Sequence, residues 1–516
     1  MDKTTQKPTV RVARQTMDAR DEYLLGSDYV LPEYCPDAAV VLKCTITPHV
    51  QSRRISGDRL QLDGTAAVRI WYLDEERRCV REAEFAQPLS CTLSVGAGGE
   101  DIDPASIRVT MTPAYVNCRA TSPRRMEVRA SFSVRATAVA DTQVALFSPE
   151  EGSGLFTRTA EHTLPTVCAV GEKPITVSEV IDLDSEQPSI EQLLGGEVTA
   201  AVTECRLLSG RAIVKGQVFV HMLYTDDTEN GTTDAVERAL PFGQILDLPG
   251  VQDDMLYLPA VSVVSDTERC VANAAGQNAA IEVEAHLLLQ ITVCAQQAVP
   301  LVLDAYHPDY PVTLERQKLE LTAPVGYRRV ETAVQLSIPL PAEDLQELID
   351  IWVWPDGSAA QDSEGTAGRL QIGMLVRDGE GTVAYFERPE QFALPQPESA
   401  QGTQERLDFT VTGVEYTATA DRLDMKIGID GAVTSFARVE ETPVSDVQVH
   451  EDRPFPKQTG SIRLYYAQPG ERLWDIACAC RTSPELIVGE NRPELDDNGA
   501  FTKRTVLIVP TARFDR

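Results

Sequence analysis

The chain has 516 residues, with 47 Lys and Arg against 78 Asp and Glu, a formal net charge of −31, and 43% hydrophobic residues. That apolar share excludes wholesale disorder, and the length predicts three or four domains, each with its own core. The acidity argues against nucleic acid and anionic membrane as partners, because both are bound by clustered Lys and Arg.

Residues 1–27 form an N-terminal segment with no apolar run behind a basic start, so no secretory signal is expected. No stretch of about 18 apolar residues occurs, so membrane insertion is not expected either. From 28 to 445 the pattern is mostly period two: Met126, Val128, Ala130, Phe132 and Val134 alternate with Glu127, Arg129, Ser131 and Ser133. Such alternation predicts half-buried antiparallel strands, separated by clusters of Gly, Pro, Asp and Ser.

The same phrases recur in order, which predicts three related β domains at 28–165, 166–312 and 313–445. Each opens on a Pro/acid phrase: Pro32 to Asp37 around Cys35-Pro36-Asp37, then Pro188 to Glu191, then Pro341 to Asp344. A strand carrying Gly follows. Gly64 precedes Tyr72 by eight residues and Gly216 precedes Tyr224 by eight, while the third phrase, ending at Gly373, lacks the Tyr. Each copy ends with a strand pair: Ile107–Cys118 with Met126–Val134, Leu258–Cys270 with Ile281–Val293, and Leu407–Thr419 with Leu423–Val433. The third copy is the degenerate one.

Residues 446–461 lose the alternation and carry Pro454 and Pro456, and they read as an exposed, stiff linker. Beyond it the period changes. Leu473, Ile476, Ala477 and Cys480 lie on one helical face, and Pro484 behind Ser483 starts a second helix. Short apolar strands at 463–466 and 505–510 flank them, so 462–511 reads as a small βααβ domain. Resolved along the chain, the acidity is local. Residues 166–461 carry 19 basic and 48 acidic groups, whereas 462–516 carry 8 of each.

The last domain resembles LysM modules through Tyr466 to Ala477, Thr482 to Ile487, Asn491 and the closing Val506 to Pro510. The resemblance implies a groove between two loops, here Gly470, Glu471, Arg472 and Leu473 on one side and Asn491 to Leu495 on the other. LysM grooves take N-acetylglucosamine-containing glycans. Here Arg472 stands where a small hydroxyl is usual, and Lys503-Arg504 replaces the usual Pro-Gly. Trp474 and Asn491 also fit framework roles. The preceding repeats resemble SPOCS domains of SipL-type spore-coat morphogenetic proteins, through Cys35-Pro36-Asp37, the Gly-to-Tyr phrases, Ala83-Glu84-Phe85, Leu240-Pro241-Phe242 and the long closing strands. Tandem β-sandwich-like SPOCS-type domains followed by one LysM domain imply a spore-envelope assembly scaffold. Its implied partners are a SpoIVA-type coat-basement ATPase and other coat proteins, met on the mother-cell cytoplasmic side of the forespore. On that reading Gly470, Glu471, Arg472, Leu473, Trp474, Asn491, Arg492 and Lys503 are the docking candidates. The alternative is a peptidoglycan-binding protein.

No catalytic motif is expected: GxxxxGK[ST], HExxH and GxSxG are all missing. Gly96 to Gly99 is followed by Glu100-Asp101, which repels phosphate, and it reads as a loop. The six His are scattered, and Asp226-Asp227 and Asp253-Asp254 read as polar turns. The eleven Cys form no dense framework and read as reduced thiols. Cys478 and Cys480 lie about 200° apart on a helix and cannot readily chelate one ion. No metal, cofactor or enzymatic activity is expected.

Overall fold

The computed structural model describes residues 9–75, 79–95, 102–150, 152–184, 187–228, 231–273, 275–340, 345–356, 359–362, 365–394, 403–419, 421–456 and 462–510. Strands dominate. The first unit holds β1 (Thr9–Val30), β2 (Ala38–Ser56), β3 (Arg59–Asp74), β4 (Val80–Ser94), β5 (Arg108–Ser122) and β6 (Arg125–Ala145). The second holds β7 (Phe156–Asp182), β8 (Ile190–Leu208), β9 (Arg211–Asp226), β10 (Thr233–Asp247), β11 (Leu256–Val271) and β12 (Ala280–Tyr306). After β13 (Val312–Arg316) come β14 (Leu319–Pro339), β15 (Leu345–Pro355), β16 (Ala359–Asp362), β17 (Gly365–Asp378), β18 (Val383–Leu394), β19 (Thr403–Ala418), β20 (Arg422–Glu441) and β21 (Val444–Val449).

One topology is used three times. Sheet β1-β6-β5 packs on β2-β3-β4, and β7-β12-β11 packs on β8-β9-β10. The third unit repeats both orders as β14-β20-β19 and β15-β17-β18, with β16 bridging them into a single sheet. Alternation puts Val68, Ile70 and Tyr72 of β3 against Met126, Val128 and Phe132 of β6, and these side chains are the first core.

The expected limits at 28, 166 and 313 fall inside β1, β7 and β13. Each unit begins earlier than its Pro/acid phrase, with a strand that pairs along the closing one: Tyr29 opposite Met126, Ile181 opposite Ile281, Ile338 opposite Leu423. Local alternation shows that a strand exists but not which distant strand it joins. The third copy has all six strands. Gly368, not Gly373, holds the place of Gly64 and Gly216, and Val376 follows it by the same eight residues. Gly216 lies opposite Phe242 and Gly368 opposite Phe392, each ring covering the bare glycine. The phrase Pro341 to Asp344 and the loop Gly96 to Asp101 lie outside the described residues.

The stretch expected as a linker starts inside β21, which pairs with β13. The chain therefore enters and leaves the third sandwich through a two-stranded ribbon. Beyond it the His450 amide donates to Pro311 O at 2.9 Å and the Phe455 amide to Asp309 O at 2.8 Å, so this segment is strapped down. Residues 457–461 lie outside the described residues.

The three sandwiches meet head to tail, β4 against β8, β10 against β15 and β18 against β2, and so close a ring. At the junction lie Trp71, Leu223 and Leu375, the residues just before Tyr72, Tyr224 and Val376. Leu42, Leu194 and Ile349 join them. Each of these three occupies a register shift in the first strand of its sheet. The extra residue of a β-bulge slips the alternation, so an apolar side chain turns away from its own sandwich and into the shared junction. Full burial, as at Leu194, contributes about 1.5–3 kcal/mol, and the half-buried Leu42 and Ile349 contribute less. Trp71 Nε1 also donates to Leu194 O at 2.8 Å, and Thr225 Oγ1 to Val80 O at 2.9 Å, both between the first and second units. Between the third and first, Lys43 Nζ sits 3.8 Å from the Trp354 ring centroid and 3.2 Å from Glu387.

Candidate functional site

The C-terminal residues fold as β22 (Ile462–Ala467), α1 (Leu473–Cys480), α2 (Pro484–Asn491) and β23 (Thr505–Pro510), with β22 and β23 antiparallel. The helices start for different reasons. Ser483 Oγ accepts from the Glu485 and Leu486 amides ahead of Pro484, a side-chain cap. Arg472 precedes α1 with no side-chain cap, and the helix start is held by its neighbours instead. The Gly470 amide donates to Phe501 O, the Leu473 amide to Gly499 O and the Phe501 amide to Glu471 O, each at 2.9 Å. Gly470 has φ +89°, a left-handed conformation that favours glycine at this turn.

Most of the candidate side chains are already engaged. Leu473 is buried in the module core with Ile476, Ala477, Ile487 and Leu507. Glu471 accepts from the Gln468 amide at 2.8 Å and from Tyr465 Oη at 3.2 Å. Asn491 Nδ2 donates to Ile487 O at 2.8 Å and Ile508 O at 2.7 Å, while its Oδ1 accepts from the Ile508 amide at 2.7 Å. It staples α2 to β23. Trp474 is turned towards the second sandwich, where its Nε1 donates to Asp304 Oδ2 at 2.9 Å and its ring meets Tyr306 edge-on at 5.0 Å. Tyr306 Oη donates to Thr482 O. The module therefore leans on the end of β12, and Arg481 adds a contact over the Phe455 ring at 4.7 Å. Of the candidates, Arg472, Arg492 and Lys503 remain exposed, Lys503 beside Glu494 at 2.7 Å.

One further surface of the module is exposed. The face of β22 and β23 away from the helices carries Leu464, Tyr466, Val506 and Ile508, exposed by 60, 56, 54 and 40%. Leu464 lies opposite Ile508 and Tyr466 opposite Val506, so the four make one apolar patch. Exposed Arg463 and Arg504 adjoin it in sequence. The signal was present in the sequence, since Leu464, Tyr465 and Tyr466 in β22 and Val506 to Val509 in β23 are apolar runs without alternation. Without knowing which face the helices cover, that run reads as a buried strand.

Elsewhere the ionisable groups serve the architecture. Among the described residues no three His, Cys, Asp or Glu are grouped to hold a metal ion. His49 Nε2 lies 3.0 Å from Asp266 and His221 Nε2 lies 3.2 Å from Asp350, each pair between two sandwiches. Burial alone would lower the His221 pKa, but the Asp350, Glu237 and Glu197 carboxylates together outweigh it and the shift is upward. Asp226 accepts from the amides of Thr228 and Thr232 and ties a turn together. Cys480 is buried in the module core, and Cys478 packs against it only partly buried.

No curated protein and no solved structure matches the chain. Residues 189–273 match the SipL, SPOCS domain family. The matched stretch runs from β8 through β11 and stops short of β7 and β12, the two long strands that pair across the second sandwich. The second sandwich is thus similar, over four of its six strands, to the SPOCS domain of SipL, which connects the chain with sporulation-related proteins.

Proposed function

We propose that this protein is a non-enzymatic scaffold of spore-envelope assembly. Its ring of SPOCS-type sandwiches holds out a LysM-type module that docks a SpoIVA-type coat-basement ATPase on the mother-cell side of the forespore surface, with other coat proteins as further partners. The observation that carries this reading is the apolar face of β22 and β23. Four large apolar side chains in one exposed patch, beside Arg463 and Arg504, suit a protein surface with apolar and acidic groups better than a sugar. The alternative, a peptidoglycan fragment in the loop groove, has less support because Trp474 and Asn491 are committed to internal bonds.

The test is co-purification of the full chain with the ATPase after Leu464→Asp and Ile508→Asp. Loss of the complex with unchanged folding supports docking through this face, and an intact complex overturns it. Pelleting with purified peptidoglycan that soluble N-acetylglucosamine oligomers compete away would favour the glycan reading instead.

A further inference from the structure

Where the three sandwiches converge, the register brings equivalent residues together. Thr137, Thr292 and Thr434, in the closing strands β6, β12 and β20, line one small cavity. Opposite them in the neighbouring strands stand Arg108 and Leu258, and the Thr434 cavity wall is completed by Arg406 from β19. Two arginines and three threonines thus line a space of about 20 Å³, room for little more than one water-sized sphere.

The charges there do not balance. Arg406 is matched, its Nη2 donating to Asp408 at 2.7 Å and its Nη1 to Thr137 Oγ1 at 3.2 Å. Arg108 donates to Leu258 O, and among the described residues no carboxylate lies within ion-pair distance of it. Arg108 is half-buried; a guanidinium partly withdrawn from water with no anion beside it is destabilised, and a second guanidinium nearby adds repulsion. Burial first, and the Arg406 charge second, draw the Arg108 pKa down to about 10. The deficit is one negative charge, in a cavity sized for a monatomic ion and edged by hydroxyl donors.

We propose that this cavity binds a single small inorganic anion, of chloride size, held by Arg108 with Thr137, Thr292 and Thr434. Because its ligands come from all three units, the ion locks the ring, and its binding adds to the stability of the whole assembly. This inference is independent of what the C-terminal module binds.

The test uses the full chain in sodium gluconate, whose anion is too bulky to enter, with sodium bromide exchanged in at constant ionic strength. The expected result is a saturable rise of the thermal midpoint in the wild type and none in Arg108→Met. An equal rise in Arg108→Met is a general salt effect and overturns the proposal, as does a midpoint indifferent to the anion. Thr434→Val, which keeps the Arg108 cation, is expected to weaken bromide binding about tenfold, equivalent to about 1.4 kcal/mol. Should Arg108→Met fail to fold, anomalous diffraction from wild-type crystals grown in bromide decides the matter. A peak beside Arg108 and the three threonines supports the site, and its absence overturns it.

Discussion

The indole Nε1 of Trp474 donates to the Asp304 carboxylate at the end of β12, 2.9 Å away and 170 positions earlier in the chain. Together with the Tyr306 ring this contact attaches the C-terminal module to the second sandwich, although the chain reaches the module from the third. Trp474→Phe keeps a ring and loses the hydrogen bond, for a cost of about 1 kcal/mol. Trp474→Ala also empties the contact and costs about 3 kcal/mol. Hydrogen exchange is the measurement: Trp474→Ala should speed exchange across α1 and α2 and leave the three sandwiches protected.

The patch on β22 and β23 makes the opposite prediction. Leu464 and Ile508 are exposed in the free protein, so Leu464→Asp and Ile508→Asp should each shift stability by less than about 0.5 kcal/mol. Recovery of the ATPase in co-purification should fall at least tenfold. Thermal unfolding measured beside the co-purification separates docking from folding.

Gly216 is required by space. A Cβ there would lie 2.2 Å from Phe242 Cζ and 2.4 Å from Ala201 O, whereas one on Gly243 would meet nothing closer than 3.9 Å. Gly216→Ala is expected to cost about 1–3 kcal/mol by denaturant midpoint. Gly243→Ala should be close to neutral. Phe242→Leu in the Gly216→Ala background should restore part of the loss, and failure to do so would place the strain on the backbone contact alone.

Lys43 gives a pH dependence. Burial lowers its amine to about 8, with Glu387 opposing, against about 10.5 in the free chain. Between these values the unfolded chain holds more protons than the folded one, so the Lys43 contribution to stability rises with pH. In Lys43→Met that slope is lost. Wild-type stability minus variant stability should therefore increase from about pH 7.5 to about pH 10 in denaturant titrations. A constant or falling difference would show that the amine is not desolvated in the fold.

Much of the repeat was legible in the sequence because it rests on local regularities. Alternation marked the closing strands and their partners, and the Gly-to-Tyr interval located Gly64 with Tyr72 and Gly216 with Tyr224, whose rings fill the first two cores. In the third copy Val376 replaces the Tyr, so nothing aromatic anchors the interval, and the local phrase points to Gly373 where the fold uses Gly368. The docking candidates were less legible. Motif position brought Leu473, Trp474 and Asn491 to the right module but carried no information on which face of each residue is already occupied.

By itself, then, the sequence determined strand and helix, the threefold repetition, the acidic body and the near-neutral module that follows it. These follow from side-chain period and composition, which act over a few neighbouring residues. Only the tertiary structure decided that β1, β7 and β14 open their units, that the sandwiches close a ring, and that the module rests on β12. It alone placed Leu42, Leu194 and Ile349 in the junction through their bulges, and set Arg108 beside a cavity whose lining among the described residues has no carboxylate. A period of two assigns a side chain to one face of a sheet. Which distant surface covers that face is settled only when strands far apart in the chain are brought together.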